Sequence, residues 1–121
     1  MKFSESLRKN NDFKNVYNKG KSHSNKNLVM YVLENGSEKN RIGISVSKKV
    51  GNSVVRHHLK RLVRENYRLH EEMFNNGLDI VVIARVNAKD ASFFDIKKAL
   101  LHLGNLHGII NSVNERNVEQ L

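Results

Sequence analysis

Apolar and polar residues alternate most regularly between Arg41 and Lys48. There Ile42, Ile44 and Val46 fall on one side and Gly43, Ser45 and Ser47 on the other. A period of two predicts a strand with one face buried. Leu28–Leu33 is apolar on both faces and predicts a second strand, joined to the first through a turn at Asn35-Gly36. Leu78–Val86 is a β-branched run, interrupted by Asp79 and Arg85, of the kind found inside a sheet. Helical spacing appears three times. Asn11–Lys19 predicts a short helix capped by Asn10 or Asn11 and ended by Gly20, with Phe13, Val16 and Tyr17 on one face. A longer helix runs from Ser53 to Phe74, ahead of Asn75-Asn76-Gly77. A third starts near Asp90 or Ser92 and carries Phe93, Ile96, Leu100 and Leu103 on one side. The order α-β-β-α-β-α predicts an α+β fold, a single small domain over 1–121 with one mixed sheet and helices packed on it. Past Gly108, residues 108–121 read as a polar tail with no assigned structure.

The second helix carries the chemistry. On a wheel of about 100° per residue, Val55, Leu59, Leu62, Val63, Leu69 and Met73 form the side that buries. Arg56, His57, Lys60, Arg61, Arg64 and Arg68 fill a separate arc of about 140°. Like charges three and four residues apart repel by a few tenths of a kcal/mol per pair, and only Glu65 is close enough in sequence to offset them. A solvated face normally mixes its signs, so an arc this uniform points to phosphates. Lys48 and Lys49 sit just ahead of the helix, whose first backbone amides add to an anion-binding end.

Charge over the whole chain agrees. Lys and Arg number 21 against 12 acids, a net +9 with pI near 10.0, as in proteins that bind polyanions. Residues 1–68 hold 16 of these cations and 5 acids; residues 69–121 hold 5 and 7. The basic charge thus belongs to one half of the sequence. No segment pairs a broad apolar face with Trp anchors, which argues against a membrane surface. Met1–Leu7 has no long apolar run, so no signal peptide is expected. The absence of cysteine leaves no disulfide or thiolate metal site and fits a cytoplasmic setting.

A nuclease site is the obvious alternative for His57 and His58. Neighbouring helical residues diverge by about 100°, so the two rings do not converge on one phosphate, and their spacing differs from the i,i+4 pair of helical metal ligands. No residues are therefore assigned as catalytic, and no metal ligands are identified. His57 lies in the basic arc; His58 lies at its edge beside the apolar stripe. His23, His70, His102 and His107 form no recognisable cluster. Phe13, Tyr17 and Tyr31 are aromatics beside basic residues, the usual composition of a surface for single-stranded nucleic acid; packing in a core is the competing role, above all for Phe13.

Ser45-Val46-Ser47-Lys48-Lys49-Val50-Gly51-Asn52-Ser53-Val54-Val55-Arg56, followed by Leu59-Lys60-Arg61-Leu62-Val63-Arg64-Glu65, resembles the signature of the bacterial ribonuclease P protein. Asp12-Phe13 with Val16-Tyr17, and Asp79 through Arg85, extend the resemblance over all but the last dozen or so residues. It implies a left-handed βαβ crossover around the basic helix. It also implies a catalytic RNA subunit acting with magnesium, and precursor tRNA as substrate. The RNA subunit would be contacted by Lys48, Lys49, Arg56, His57, Lys60, Arg61, Arg64 and Arg68. The precursor's 5′ leader would lie in a cleft with Phe13, Tyr17 and Tyr31. Magnesium would be held through RNA rather than at a dedicated protein site. One departure stands out: the family's Arg-Asn-Arg reads Arg56-His57-His58 here, so position 58 lacks a permanent charge and a two-pronged phosphate partner. The rival readings are a structural RNA binder of ribosomal type, a double-stranded DNA binder and a stand-alone nuclease. The DNA reading is disfavoured because the basic face offers no Asn or Gln to read bases.

Overall fold

A computed structural model describes residues 4–111. Five strands form one mixed sheet: β1 (Ser4–Ser6), β2 (Lys21–Ser24), β3 (Leu28–Glu34), β4 (Asn40–Val46) and β5 (Leu78–Ala84). The helices are α1 (Asn10–Lys19), α2 (Ser53–His70) and α3 (Phe93–His107). Across the sheet the order is β1-β4-β5-β3-β2. β4 and β5 run parallel with α2 as their crossover, while β3 is antiparallel to β5. The α+β class with one mixed sheet is as expected.

Two strands escape the sequence reading. β2, Lys21-Ser22-His23-Ser24, is exposed at every residue and is held by antiparallel pairing with β3, so no hydrophobic period announces it. β1 has three residues and pairs in parallel with the start of β4. The helix ends also shift. The N-cap position of α1 is Lys9, with no side-chain cap. α2 stops at His70 and a 3-10 turn continues to Met73. Ser92 caps α3, its hydroxyl accepting from Asp95 N–H while the Asp95 carboxylate accepts from Ser92 N–H. The expected featureless tail begins later than Gly108: Ile109 is buried and Ile110 bridges to Phe74. Gly104 makes this possible, since a Cβ there would collide with the Ile110 side chain. Residues 112–121 of the expected tail lie outside the described residues.

Period-two alternation divides the core. Leu28 and Met30 of β3, Ile42 and Val46 of β4, and Ile80 and Val82 of β5 face α2 and α3. They pack there with Leu59, Val63, Tyr67, Ile96, Leu100 and Leu103. The opposite face holds a much smaller cluster, Leu7, Val16 and Val81, with Phe13, Tyr31, Leu33 and Ile83 only partly covered. One correction falls on α2: Leu69, expected on the buried side, is 55% exposed, and Tyr67 is fully buried instead. The α2 core stripe centres nearer Val63 than the apolar residues alone suggest. Tyr67 offsets the cost of burying its hydroxyl by bonding Ser4 Oγ at 2.7 Å and Asn40 Nδ2 at 3.3 Å.

Candidate nucleic-acid interface

α2 begins after a polar loop, where the Asn52 side chain accepts from Val55 N–H at 3.0 Å. Its first turn contains no acid, so the positive end of the helix dipole stands uncompensated beside Lys48 and Lys49, both exposed. His57, Arg61, Arg64 and Arg68 are exposed along the helix, whereas Arg56 and Lys60 are half-buried. Arg56 lies where the basic arc meets the core stripe, and its Nε is buried with no hydrogen-bond partner. Arg68 differs from the rest. Glu65 Oε2 accepts from its Nη2 at 2.8 Å, and the Arg68 guanidinium holds the Glu65 carboxyl below the usual carboxylate range. Glu65 therefore pairs with Arg68 and also acts on Arg61, and among the described residues neither Arg61 nor Arg64 forms an ion pair.

The three aromatic candidates come together. Tyr17 and Tyr31 meet edge to face with centroids 5.0 Å apart, and Phe13 stands 6.3 Å from Tyr17. Their exposure separates them. Phe13 lies directly over Gly43, where a Cβ would stand 2.7 Å from its ring, so its ring is packed on the sheet. Tyr17 is 36% exposed and Tyr31 half-buried. Burial pushes the Tyr17 phenol up, reinforced by Tyr31, while a hydrogen bond with the Ser45 side chain acts the other way.

Beside Phe13 and Tyr17 opens a cleft of about 370 Å³, lined also by Asn10, Lys14, Ile44, Ser45, Val46 and Lys60. It joins the two candidate surfaces, because Lys60 belongs to the basic helix and Phe13 and Tyr17 to α1. Sequence reasoning missed Asn10, Lys14 and Ser45. Lys14 is one turn before Asn18 and three residues before Tyr17, a spacing that puts it on the same side as Tyr17. Ser45 sits on the polar side of β4's alternation, the side that proves to face α1.

An ion pair buried only at its Asp79 end joins β4 to β5 and reaches α1. Asp79, 2% exposed, accepts from Arg41 at 2.8 Å and 2.6 Å, and from Asn35 Nδ2 at 3.0 Å. Arg41 also reaches Asp12 of α1 at 3.4 Å. Burial alone would push the Asp79 carboxyl up; the Arg41 guanidinium and the Asn35 amide overcome this and hold it low. A charged residue inside a β-branched strand signals some partner, but Arg41 is 38 residues away and not legible as that partner.

His57 and His58 are both exposed. One pair among the remaining histidines departs from expectation: His23 and His107 meet edge to face at 4.6 Å. Among the described residues, no three His, Asp or Glu side chains gather into a metal-ligand group. No helix among them is long and apolar enough to cross a membrane.

Comparison with known proteins gives a consistent result. The family model described as Ribonuclease P matches residues 1–106. The ribonuclease P protein component of Lachnoclostridium phytofermentans is 57% identical over 109 residues, covering 90% of this chain and 94% of that protein. That of Alkaliphilus oremlandii is 51% identical, covering 93% and 98%. Among solved structures, the Staphylococcus aureus RNase P protein superposes with a TM-score of 0.82 at 39% identity, covering 89% of this chain and 99% of that one. The Thermotoga maritima RNase P protein gives 0.76 at 36% identity, covering 82% and 94%. On this sequence and structural similarity together, the chain belongs to the ribonuclease P protein family.

Proposed function

We propose that the chain binds a ribonuclease P RNA subunit along α2 and seats the 5′ leader of precursor tRNA in the cleft between α1 and the sheet, while the RNA carries out the cleavage. The family serves tRNA 5′ processing together with an RNA subunit. One observation carries the division of labour: the cleft has aromatic rings on its α1 side and Lys60 on its α2 side. Bases stack on the first and phosphates pair with the second. The leader therefore lies beside the helix that grips the RNA subunit, and both RNAs are held by one rigid frame.

The chain's own residues bind, orient and neutralise. His57 and His58 diverge on the helix, so neither acts with the other as acid and base on one phosphate. Magnesium would be held by RNA phosphates rather than by this chain's residues, and would supply charge for phosphodiester hydrolysis. Arg56, Arg61 and Arg64 lower the repulsion between RNA strands, so less of the ion is needed. The setting of this assembly is the cytoplasm.

Salt dependence tests the RNA face. Arg56→Ala, Arg61→Ala and Arg64→Ala should each weaken binding to the RNA subunit with the fold intact. Each should make log affinity against log salt shallower by about 0.7–0.9 for every phosphate pairing removed. Slopes equal to wild type would show that these side chains do not touch phosphate.

A further inference from the structure

The strand ends assemble a second basic surface that the sequence divides between its two halves. β4, β5 and β3 are in register at Val46↔Ala84 and Leu28↔Ala84, so Ser47, Arg85 and Asn27 leave the sheet at one end. Lys48 and Lys49 follow Ser47 there, and Lys26 precedes Asn27. The start of α3 reaches the same end and brings Lys98. Between the Asn25–Asn27 loop and α3 lies a pocket of about 270 Å³, with Lys26 and Lys98 at its walls and Asp95 and His102 beside them.

This loop is tightly fixed. Asn25 Oδ1 accepts from the backbone amides of Asn27 at 3.2 Å and Leu28 at 3.0 Å. Its Nδ2 donates to Ala99 O at 3.0 Å and also meets His102 Nδ1 at 3.1 Å. Its carbonyl accepts from Arg85 Nη1 at 2.8 Å, and Arg85 N–H donates to Asn27 O at 2.9 Å. One side chain thus ties the β2–β3 loop to α3, and Arg85 ties it to the end of β5. Such fixing lowers the cost of ordering the surface on binding. Lys26, Lys98, Lys48 and Lys49 are all exposed. The Asp95 carboxylate is taken up by the cap of α3, accepting from Ser92 N–H at 2.9 Å. Lys98 lies one turn beyond Asp95 on α3, and Lys26 lines the same pocket from the facing loop.

We infer that the Asn25–Asn27 loop with Lys26 and Lys98 is a second phosphate-contacting surface, and that its occupant is the backbone of the same RNA subunit that α2 holds. The assignment rests on the α2 reading above. Lys48 and Lys49 lie between the end of β4 and the start of α2, at the same end of the sheet as the Asn25–Asn27 loop. The leader cleft opens elsewhere, against α1. A polyanion long enough to cover α2 continues across Lys48 and Lys49 onto this loop.

The test compares Lys26→Ala, Lys98→Ala and the double variant with Arg61→Ala, using purified RNA subunit over a range of salt. Each single lysine change should weaken binding about four- to fivefold at roughly 0.15 M salt and make the salt slope shallower by about 0.7–0.9. Preference for precursor over mature tRNA should not change. Both lysines are exposed, so melting temperature should hold. Unchanged slopes for the lysine variants with a reduced slope for Arg61→Ala would overturn this surface and leave the α2 reading standing. Unchanged slopes for all of them would overturn both. A loss of leader preference with unchanged RNA-subunit binding would assign the loop to the other RNA and overturn the inference too.

Discussion

The two faces of the sheet receive different treatment from the same chain. Against α2 and α3 the apolar residues of β3, β4 and β5 are covered and interlocked, with Met30, Ile80, Val82, Leu100 and Leu103 fully buried. Against α1, a helix of ten residues covers only part of the sheet and leaves Tyr17 and Tyr31 at least partly open. The first face holds the fold; the second stays incompletely covered and is the face proposed to take the leader. The difference teaches that aromatic content alone does not mark a binding surface. Tyr67 and Phe74, 5.2 Å apart on the closed side, are core, while Tyr17 and Tyr31 stay partly exposed and form the proposed platform.

The largest test of this contrast is on the closed face. Leu100→Ala should cost about 2–5 kcal/mol of stability and leave leader preference intact in the protein that remains folded. Thermal melting and leader-dependent binding, measured on one preparation, check it. Next is the ion pair that joins β4 to β5 and reaches α1. Arg41→Ala strands the buried Asp79 carboxylate and should cost about 2–3 kcal/mol. The pH dependence has a definite sign. Asp79 is held below its unfolded value, so its stabilisation is fully present above about pH 4 and is lost as pH falls through the lower folded value. Without Arg41, burial pushes the carboxyl up, and acid unfolding should begin at higher pH; an unmoved acid midpoint would contradict the account.

The open face comes third. Tyr17→Ala and Tyr31→Ala should lose about 1–3 kcal/mol of affinity for precursor tRNA relative to mature tRNA, with little change in melting temperature. A large fall in melting temperature with unchanged discrimination would make these rings core and erase the contrast. Phe13 is expected to show both effects, because its ring is packed over Gly43. The smallest effect belongs to the departure at position 58. His58→Arg restores a permanent charge at the edge of the basic arc and should steepen the salt slope by about 0.7–0.9, the change expected for one added phosphate contact.

Much of this is legible from spacing. The alternation in β4, the wheel of α2 and the capping residue of α3 depend on local period and local hydrogen bonds. What is not legible depends on tertiary partners. β2 has no apolar face and exists because β3 pairs with it. The exposure of Leu69 and the burial of Tyr67 follow from where α3 and β4 lie against α2, which no helical wheel contains. Lys26, Arg85 and Lys98 are separated in the chain, and only the strand register together with the packing of α3 collects them. Family resemblance supplied the RNA-subunit and leader roles, and membership in the family decides against a ribosomal-type binder.

The central claim is that the chain contributes binding and charge but no chemistry. Cleavage of precursor tRNA at limiting magnesium, by the protein alone, the RNA subunit alone and the two together, tests it most directly. The protein alone should leave the precursor intact, and the pair should cleave at magnesium concentrations where the RNA subunit alone is slow. Specific cleavage by RNA-free protein, persisting in a His57→Ala/His58→Ala variant, would contradict the account.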